Sequence, residues 1–415
     1  MRLVFGLGRS GLGVVRYLKR KGLKAALYDD HPRPEEVAWA EAQGFPFDPD
    51  PQPGAYTEVV AAPGVPLDHP RLKALGEAGA LILGEAELVF RHSQTPLIGI
   101  TGTAGKTSTT LFTAHLLRSQ GLKALAGGNL DPPLAEIAEE AEVAVVELSS
   151  FQLERVHLFR PRVAVLLNLG VDHLDRHGTV EAYHRAKLNL LRNLTPEDAL
   201  VYNEADPKVR RAAEATPARL YPFRPGESPK KTNLEAALKA TLAYLDLLGR
   251  APDQRALEAA FATLPEPPSR FQVFARKGKV VFIDDSIATR AEAVAAALRA
   301  APKPVAWILG GLDKGAPLEA VRPHLEGVRV VLAIGRDGPR MARGLEGVEV
   351  VEIPEKDGRK ALLRAVEEAL SRLEEGSVLL APMAASFDQF GDYRERARAF
   401  REAVFALGGE PWTPS

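Results

Sequence analysis

Short runs rich in Val, Ile and Leu alternate with longer segments of helical period along most of this 415-residue chain. Runs such as Leu97–Thr101 and Val163–Leu167 are apolar at consecutive positions, which is typical of strands buried on both faces. Strands of this kind joined by helices form parallel sheets. The alternation therefore predicts an α/β fold, and at roughly 150 residues per domain the length predicts two or three domains.

The pattern divides into three sections. The first begins with strand Leu3–Gly6, and the second opens near Thr95. The segment Leu264–Pro268 has three prolines in its last four residues, which cannot continue a helix and favour an extended linker. After this linker we expect a hairpin with its turn at Arg276–Lys279, followed by further βα units.

Composition excludes several classes of protein. Lys+Arg is 53 and Asp+Glu is 54, so a net charge of −1 gives no general electrostatic case for binding nucleic acid. The chain has no cysteine, which excludes disulfide scaffolds, thiolate zinc sites and cysteine nucleophiles. No apolar run approaches the roughly 20 residues of a membrane span, and the N-terminus lacks the layout of a signal peptide. We therefore expect a cytoplasmic protein.

The first glycine-rich motif follows the first predicted strand. Gly6-Leu-Gly-Arg-Ser-Gly11 matches G-x-G-x-x-G and precedes a helix, and Asp29 and Asp30 end the next strand. In dinucleotide-binding folds such glycines let a diphosphate approach a helix N-terminus, and the acid binds a ribose. The motif favours binding of a nucleotide; a tight turn without a ligand is the alternative.

A second phosphate loop lies in the middle section. Thr101-Gly-Thr-Ala-Gly-Lys-Thr107 stands between a strand and a helix, although position 100 is Ile where the full P-loop pattern has Gly. Backbone N–H groups of such a loop cradle a β-phosphate, Lys106 can neutralise transferring charge, and the Thr107 hydroxyl can bind Mg²⁺. A capping turn does not explain the lysine, so we predict ATP binding.

Polar residues follow the next strands of the middle section. Glu147 comes after Val143–Val146, and Asp172 and His173 lie just past the following strand. Mg²⁺-binding acids of P-loop enzymes lie at such strand ends, and hard oxygen ligands suit Mg²⁺. Lys187, within a predicted helix Val180–Leu194, is by itself an ordinary solvated lysine.

The last section has three polar corners after predicted strands, at 284–289, 310–315 and 386–390. Each corner alone is equally consistent with a helix cap or a turn. Because the carboxyl ends of parallel strands meet at one edge of a sheet, the three together favour a substrate crevice.

Two nucleotide-type loops in one chain separate classes of enzyme. A dehydrogenase needs only the first loop, and a simple kinase needs only the second. An enzyme that uses ATP to act on a nucleotide-linked substrate needs both.

Together these motifs resemble the Mur ligase family, the ATP-dependent peptide ligases of peptidoglycan synthesis. The matching segments are Gly-Thr-Ala-Gly-Lys-Thr (102–107), Glu-Leu-Ser-Ser-Phe-Gln-Leu-Glu (147–154), Asp-His-Leu-Asp-Arg (172–176), Tyr-x-x-x-Lys (183–187), Gly-Gly-Leu-Asp-Lys-Gly (310–315) and Ser-Phe-Asp-Gln-Phe (386–390). The segments at 147–154 and 386–390 resemble the members that add D-glutamate.

The resemblance implies an α/β protein of three domains: a Rossmann-like UDP-binding domain at 1–92, a central P-loop ATPase domain with a mostly parallel sheet at 93–266, and a C-terminal Rossmann-like, D-glutamate-binding domain at 267–415. It implies a ligase that adds D-glutamate to UDP-N-acetylmuramoyl-L-alanine and releases ADP and phosphate. ATP would phosphorylate the alanyl carboxylate, and the glutamate amine would attack the acyl phosphate, so catalysis is chiefly positioning and charge neutralisation. We expect ATP, two Mg²⁺ ions and a monomer.

The resemblance also implies roles for residues at matching positions. The catalytic and metal-holding residues are Lys106, Thr107, Glu147, His173 and Lys187, of which Lys187 matches a lysine that is carbamylated in the family. The ATP-contacting residues are Gly102, Thr103, Ala104, Gly105, Lys106, Thr107, Ser108, Asn233, Arg270 and Asp285. The substrate-contacting residues are Arg9, Ser10, Asp29 and Asp30 for UDP, Asn129, Ser149 and Gln152 for the muramoyl part, Thr289, Lys314, Ser386, Phe387 and Tyr393 for D-glutamate, and also Gly64 and His173.

The sequence departs from the family pattern at Ser269, Ile287, Arg290 and Ala236. These departures concern ATP and phosphate contacts rather than the class of reaction, and a compensating role for Arg290 is a hypothesis. Two alternatives stay open: another amino-acid ligase of the same fold, such as a different Mur ligase or a folylpolyglutamate synthase, and a nicotinamide dehydrogenase. The dehydrogenase would leave Lys106, Glu147 and His173 without a function.

Overall fold

The computed structural model describes residues 1–265, 267–313 and 315–412. The chain divides into two compact units, with the division after Pro265. The first unit contains two parallel sheets, and the second contains one mixed sheet. The boundaries expected at 92/93 and 266/267 stay predictions. Lys314, one of the residues expected to bind D-glutamate, lies outside the described residues.

The first sheet is built from four parallel strands, each followed by a helix. These elements are β1 (Arg2–Phe5), α1 (Arg9–Arg20), β2 (Ala26–Tyr28), α2 (Pro34–Ala42), β3 (Glu58–Ala61), α3 (Pro70–Glu77), β4 (Leu81–Leu83) and α4 (Glu85–His92). The strand order is β2-β1-β3-β4. Leu3 and Phe5 of β1 pack on one face of the sheet, and Val4 packs on the other, because alternate side chains of a strand point in opposite directions.

The second sheet has six parallel strands in the order β10-β9-β8-β5-β7-β6. Its elements are β5 (Leu97–Thr101), α5 (Lys106–Ser119), β6 (Ala124–Gly128), α6 (Leu134–Ile137), β7 (Val143–Glu147), α7 (Ser150–Leu153), β8 (Val163–Leu166), α8 (Leu174–His177), α9 (Val180–Leu188), β9 (Ala199–Asn203), α10 (Pro207–Glu214), β10 (Arg219–Phe223), α11 (Pro229–Leu247) and α12 (Gln254–Phe261). The central strands β5, β7 and β8 are fully buried. Their carboxyl ends carry the phosphate loop, Glu147 and the segment that leads to His173.

The second unit has a seven-stranded sheet in the order β15-β14-β13-β16-β12-β11-β17. Its elements are β11 (Gln272–Lys277), β12 (Lys279–Asp284), α13 (Ala291–Ala300), β13 (Val305–Gly310), β14 (Val328–Ile334), α14 (Gly338–Arg343), β15 (Glu349–Glu352), α15 (Gly358–Leu370), β16 (Glu375–Leu380), α16 (Tyr393–Ala406) and β17 (Glu410–Pro411). Strands β15, β14, β13, β16 and β12 run parallel, and β11 and β17 add antiparallel pairings at one edge. The hairpin turn is tighter than expected, since only Gly278 separates its strands.

The strands predicted at Leu3–Gly6, Leu97–Thr101 and Val163–Leu167 match β1, β5 and β8 within one residue at each end. Three strands of the second sheet, β6, β9 and β10, are absent from the prediction. Strand β6 reads Ala-Leu-Ala-Gly-Gly, and β10 contains Pro222, so neither has the β-branched run that marks a strand. The helix expected over Val180–Leu194 ends at Leu188 and continues as a short 3₁₀ turn, Asn189–Leu191.

Within the described residues, no helix is both long enough and apolar enough to cross a membrane.

Candidate active site

The phosphate loop joins β5 to α5, and its last residue before the helix is Gly105. This glycine has a φ of +87°, a left-handed conformation that glycine adopts at little cost. A Cβ at this position would lie 2.4 Å from Oδ1 of Asn233 in α11. The loop therefore needs glycine both for its turn and for the close approach of Asn233, a residue expected to contact ATP.

Asn168, which follows β8, holds the phosphate loop from another side. Its Oδ1 accepts hydrogen bonds from the backbone N–H groups of Thr103 and Ala104, both at 2.9 Å. Its Nδ2 donates to the Ala104 carbonyl at 3.1 Å. The sequence pattern assigned no role to Asn168, and its place directly after a buried strand was the one available signal.

Two lysines meet at one carbonyl of the loop. Nζ of Lys106 donates to the Gly102 oxygen at 2.9 Å and to the Thr103 oxygen at 3.2 Å. Nζ of Lys187, on α9, donates to the same Gly102 oxygen at 2.8 Å and lies 4.6 Å from the Tyr183 ring centroid. Lys187 is only 1% exposed, so its interpretation as a solvated helix lysine is wrong.

The environment of Lys187 disfavours its charged form. Burial, and then the charge of Lys106, lower the pKa of Lys187 to about 7, against the opposing influence of Asp172 and Glu147. A large share of this amine is therefore uncharged at neutral pH. An uncharged amine is a nucleophile, which an ordinary surface lysine is not at this pH.

Glu147 ends β7 beside the loop and is 3% exposed. Its Oε1 accepts a hydrogen bond from Nδ2 of Asn129 at 2.8 Å. Its Oε2 is buried and has no hydrogen-bond partner among the described residues. Buried polar atoms are normally satisfied, so an unpartnered carboxylate oxygen beside a phosphate loop fits a site for a cation.

His173 immediately precedes α8 and has a left-handed backbone, with a φ of +51°. For a non-glycine residue this conformation costs on the order of 1 kcal/mol, and it often occurs at functional sites. The His173 ring lies 4.9 Å from that of Phe151, between centroids, and its side chain is 46% exposed. The strained turn thus presents a half-exposed imidazole.

Ser149 and Gln152, expected to contact the muramoyl part, form a capping box at the start of α7. Ser149 Oγ accepts from the Gln152 N–H at 3.2 Å, and Gln152 Oε1 accepts from the Ser149 N–H at 3.0 Å. His177, which the sequence left unassigned, lies 3.1 Å from Glu154 and 3.0 Å from the Ser150 hydroxyl. These contacts fix the turn that follows Glu147.

The first glycine motif makes a tight strand-to-helix turn. A Cβ on Gly11 would lie 1.9 Å from the Gly6 carbonyl oxygen, so the third glycine of the motif is sterically required. Oδ2 of Asp29 accepts from the Leu7 N–H at 2.7 Å and braces this turn. Asp30 accepts from the Tyr28 hydroxyl at 2.7 Å. Asp29 therefore braces the turn itself, and the nucleotide contacts expected of both acids stay predictions.

The same turn is bonded to the loop that carries Asn129. The Ser10 hydroxyl donates to Oε2 of Glu85 at 2.8 Å, and Oε1 of Glu85 accepts from the Ala135 N–H at 2.7 Å. Arg9 reaches the Asn129 carbonyl at 3.4 Å. Glu85 is buried, and burial raises the pKa of its carboxyl. Predicted nucleotide contacts and a predicted muramoyl contact are thus connected by one short network.

Gly64 lies in a loop whose carbonyls accept hydrogen bonds from two arginines, one just after α7 and one in α8. Arg155, which is buried, donates to the carbonyls of Ala62, at 2.8 Å, and of Val65. Arg176 also donates to the Val65 carbonyl, at 3.2 Å. Neither arginine had been assigned a role from the sequence, since a surface arginine and a buried one look alike in a sequence.

The second unit presents Asp285 just after β12. Its Oδ1 accepts from the Phe271 N–H at 3.1 Å, and burial, with a smaller contribution from Asp284, raises the pKa of Asp285 to about 6. The Ser286 hydroxyl donates to Asp284 at 2.6 Å. Helix α13 starts only at Ala291 and has no side-chain cap, so this corner is not a helix cap.

The other predicted residues of the second unit differ in exposure. Arg270, Thr289 and Arg290 are exposed, as is Phe387 at 67%, whereas Ser386 is buried and Tyr393 is the first residue of α16. Ser269, a departure from the family pattern, has a φ of +56° and donates through its hydroxyl to Asp284 at 3.1 Å.

In the part of the chain that the structure describes, no three His, Asp or Glu side chains converge as a metal site. Mg²⁺ in phosphate-transferring enzymes is commonly held by one or two protein groups together with substrate phosphates and water. The unpartnered oxygen of Glu147 fits that arrangement.

Family models match all three sections of the chain. They are the Mur ligase MurD-like N-terminal domain at residues 1–84, the Mur ligase middle domain at 100–243 and the Mur ligase glutamate ligase domain at 269–382. The chain belongs to the Mur ligase family.

Relatives agree with this assignment. The chain is 74% identical over 416 residues to UDP-N-acetylmuramoylalanine--D-glutamate ligase of Thermus thermophilus, with all of both chains covered. It is 47% identical to the ligase of the same name from Deinococcus radiodurans, covering 98% of this chain and 92% of the relative. UDP-N-acetylmuramate-alanine ligase MurC from Thermotoga maritima has the same fold, with a TM-score of 0.61 at 19% identity over 98% of this chain and 99% of that one.

Proposed function

We propose that this chain is an ATP-dependent ligase that joins D-glutamate to UDP-N-acetylmuramoyl-L-alanine, forming ADP and phosphate through an acyl phosphate. The observation that carries the proposal is the full-length, 74% identity to a ligase of that name. The two nucleotide-type loops and the buried groups around the second loop supply the chemistry. We also propose that the enzyme acts as a cytoplasmic monomer built of the three domains expected from the sequence.

The phosphate loop would hold the triphosphate of ATP. Lys106 bonds to loop carbonyls, so its ammonium lies within the loop, where it can turn to the β- and γ-phosphates. Gly102, Thr103, Ala104, Gly105, Thr107 and Ser108 belong to the same loop and the first turn of α5. Asn233 lies beside Gly105. The resemblance also assigns ATP contacts to Arg270 and Asp285.

Mg²⁺ would be held by Thr107, Glu147, His173 and Lys187, in two sites. When bound, the ions supply positive charge against the phosphates and the developing acyl phosphate. The orphaned Oε2 of Glu147 supports this assignment. Asn129 donates to Oε1 of Glu147, which leaves Oε2 available to an ion.

Lys187 would act as a carbamate. Its amine has a pKa of about 7, so the free base can attack CO₂, forming an N–C bond and releasing one proton. The product carries a negative charge in place of a positive one. That change converts a group that repels Mg²⁺ into one that attracts it, and it supports a metal-holding role.

The UDP-linked substrate would lie along the network that joins the two sheets of the first unit. Arg9, Ser10, Asp29, Asp30 and Gly64 would contact the nucleotide. Asn129, Ser149, Gln152 and His173 would contact the muramoyl part, beside Glu147. D-Glutamate would be bound by the strand-end loops of the second unit, through Thr289, Lys314, Ser386, Phe387 and Tyr393.

The test is release of phosphate from ATP that requires both UDP-N-acetylmuramoyl-L-alanine and D-glutamate. With ¹⁸O in the alanyl carboxylate, one labelled oxygen should appear in the phosphate, because the acyl phosphate loses that oxygen when the amine attacks. Release with another amino acid or with a folate would favour a different ligase of this fold. Absence of the label from phosphate would exclude the acyl phosphate.

A further inference from the structure

Arg396 lies on α16 in the core of the second unit and is 1% exposed. Its guanidinium donates to three backbone carbonyls: Ser286 at 3.0 Å, Ala384 at 3.2 Å and Gly310 at 3.4 Å. Within the described residues it forms no ion pair, and its Nε is buried without a hydrogen-bond partner. Burying such a charge is costly, so a side chain that serves packing alone would be better made of hydrocarbon.

The three carbonyls belong to three different strand ends. Gly310 ends β13, Ser286 follows β12, and Ala384 follows β16, and these strands are neighbours in the order β13-β16-β12. The same three loops are the polar corners of the second unit. They lead directly to Asp285 and Thr289, to the 310–315 segment, and to Ser386.

We propose that Arg396 is a positioning residue for the amino-acid site: it fixes the spacing of the three strand-end loops that bind D-glutamate. This inference rests on the proposed function. A guanidinium suits the task because its planar fork presents several N–H donors in fixed directions, whereas an ammonium is a point donor on a flexible stem.

A second contact shows how tightly two of these loops are joined. Leu312 and Ala385 exchange reciprocal backbone hydrogen bonds at 2.8 and 2.9 Å. A Cβ on Gly311 would lie 2.1 Å from the Ala385 oxygen and 3.3 Å from Nη1 of Arg396. The loops therefore touch at backbone level directly over the guanidinium.

The decisive variant is Arg396→Lys, which keeps the charge and loses the fork. We expect the KM for D-glutamate to rise by roughly tenfold to a hundredfold, because small displacements of binding groups have effects of this size. The KM for the UDP-linked substrate should stay within about twofold, since that site lies in the other unit. Arg396→Gln, which keeps two amide donors, replaces the lysine variant if the latter does not fold.

Phe400→Leu is the matched control, because Phe400 is on the same helix and fully buried but packs only in the apolar core. It should lower the melting temperature without changing the KM for D-glutamate. Arg398→Lys, at an exposed position of α16, should change neither. Arg396→Lys and Phe400→Leu are compared at equal loss of stability. If Arg396→Lys then raises the KM for D-glutamate no more than Phe400→Leu does, Arg396 is merely structural and the inference is wrong.

Hydrogen exchange separates this inference from the proposed function. In Arg396→Lys the amides of Leu312 and Ala385 should exchange faster than in Phe400→Leu. Equal exchange in the two variants would overturn the positioning role, whatever the substrate. If the unaltered chain released phosphate at the same rate with and without D-glutamate, the proposed function would be wrong. The hydrogen-exchange result would still decide whether Arg396 holds the loops.

Discussion

Nζ of Lys187 lies 2.8 Å from the backbone oxygen of Gly102, so a buried amine of α9 is hydrogen-bonded to the residue that opens the phosphate loop. Lys106 bonds to the same oxygen. Two lysine side chains are therefore held close together beside one backbone oxygen. The consequence is electrostatic, because the charge of Lys106 helps to lower the pKa of Lys187.

Removal of CO₂ should lower turnover, and bicarbonate should restore it, because the uncharged amine of Lys187 is available to form a carbamate. Lys187→Met should lose about a hundredfold or more in kcat, the size of effect seen when one stabilising charge is lost, and should not respond to bicarbonate. The exposed Lys208→Met serves as the control and should respond as the unaltered chain does. A native enzyme indifferent to CO₂ would contradict the carbamate.

Glu147→Gln should fold normally, because the amide oxygen can still accept the hydrogen bond from Asn129. The substitution removes the negative charge of the carboxylate, whose Oε2 has no hydrogen-bond partner among the described residues. We expect kcat to fall on the order of a hundredfold or more and the Mg²⁺ concentration for half-maximal activity to rise. Both are read from initial rates over a Mg²⁺ titration. The exposed Glu140→Gln should leave the titration unchanged. An unaltered Mg²⁺ requirement would show that Glu147 does not hold the ion.

Asp285→Asn should stabilise the second unit at alkaline pH. The folded pKa of Asp285 is about 6, above its ordinary value of 3.8, so the folded state keeps a proton that the unfolded state loses. The stability falls as the pH rises from about 4 to 6, and the full penalty, at most about 3 kcal/mol, applies above that window. Urea unfolding at pH 4 and pH 8 should show the advantage of the variant only at pH 8.

The control for this measurement is Glu374→Gln, at an exposed position of the same unit. It should show no such dependence on pH. If Asp285→Asn were equally stabilising at both pH values, the titration of Asp285 would not be the cause.

Glu85→Ala should weaken the network between the first glycine motif and the Asn129 loop. The Ser10 hydroxyl and the Ala135 N–H would lose a buried acceptor, which costs about 1–3 kcal/mol of unfolding free energy. We also expect a higher KM for the UDP-linked substrate with little change in the KM for D-glutamate. The exposed Glu77→Ala is the control. Equal changes in both KM values would indicate general destabilisation instead.

Sequence patterns predicted most of the strands with apolar residues at consecutive positions, because burial on both faces of a sheet demands them. Strand β9, which reads Ala-Leu-Val-Tyr-Asn, has such a run and was nevertheless missed. Strand β10 was missed since it lies at an edge of its sheet, where Pro222 and exposed side chains are tolerated and the apolar run is absent. Strand β6 was also missed, because it is rich in Ala and Gly and has no run of large apolar residues. Its glycines allow close contact, since a Cβ on Gly127 would lie 2.5 Å from the Pro132 oxygen.

Glycines and polar residues at strand ends predicted the candidate site from the sequence. Residues whose role depends on being buried could not be recognised in this way. Lys187 looks like any helix lysine until the fold buries it, and only the family resemblance singled it out. Arg155 and Arg396 bond to backbone carbonyls of distant loops, and such partners leave no local pattern in a sequence. Asn168 is close in sequence to the predicted Asp172–His173 motif. Nothing in the sequence indicates that its side-chain amide bonds to the phosphate loop.

Helix α11 lies against α5 although it comes after the last strand of its sheet. Leu116 and Phe112 of α5 pack with Ala237, and Asn233 of the same helix lies beside Gly105. A chain cut after Phe223 would keep all six strands and every residue of the phosphate loop. It would nevertheless expose an apolar side of α5 to water and lose Asn233, so such a fragment should aggregate rather than serve as a minimal ATP-binding module.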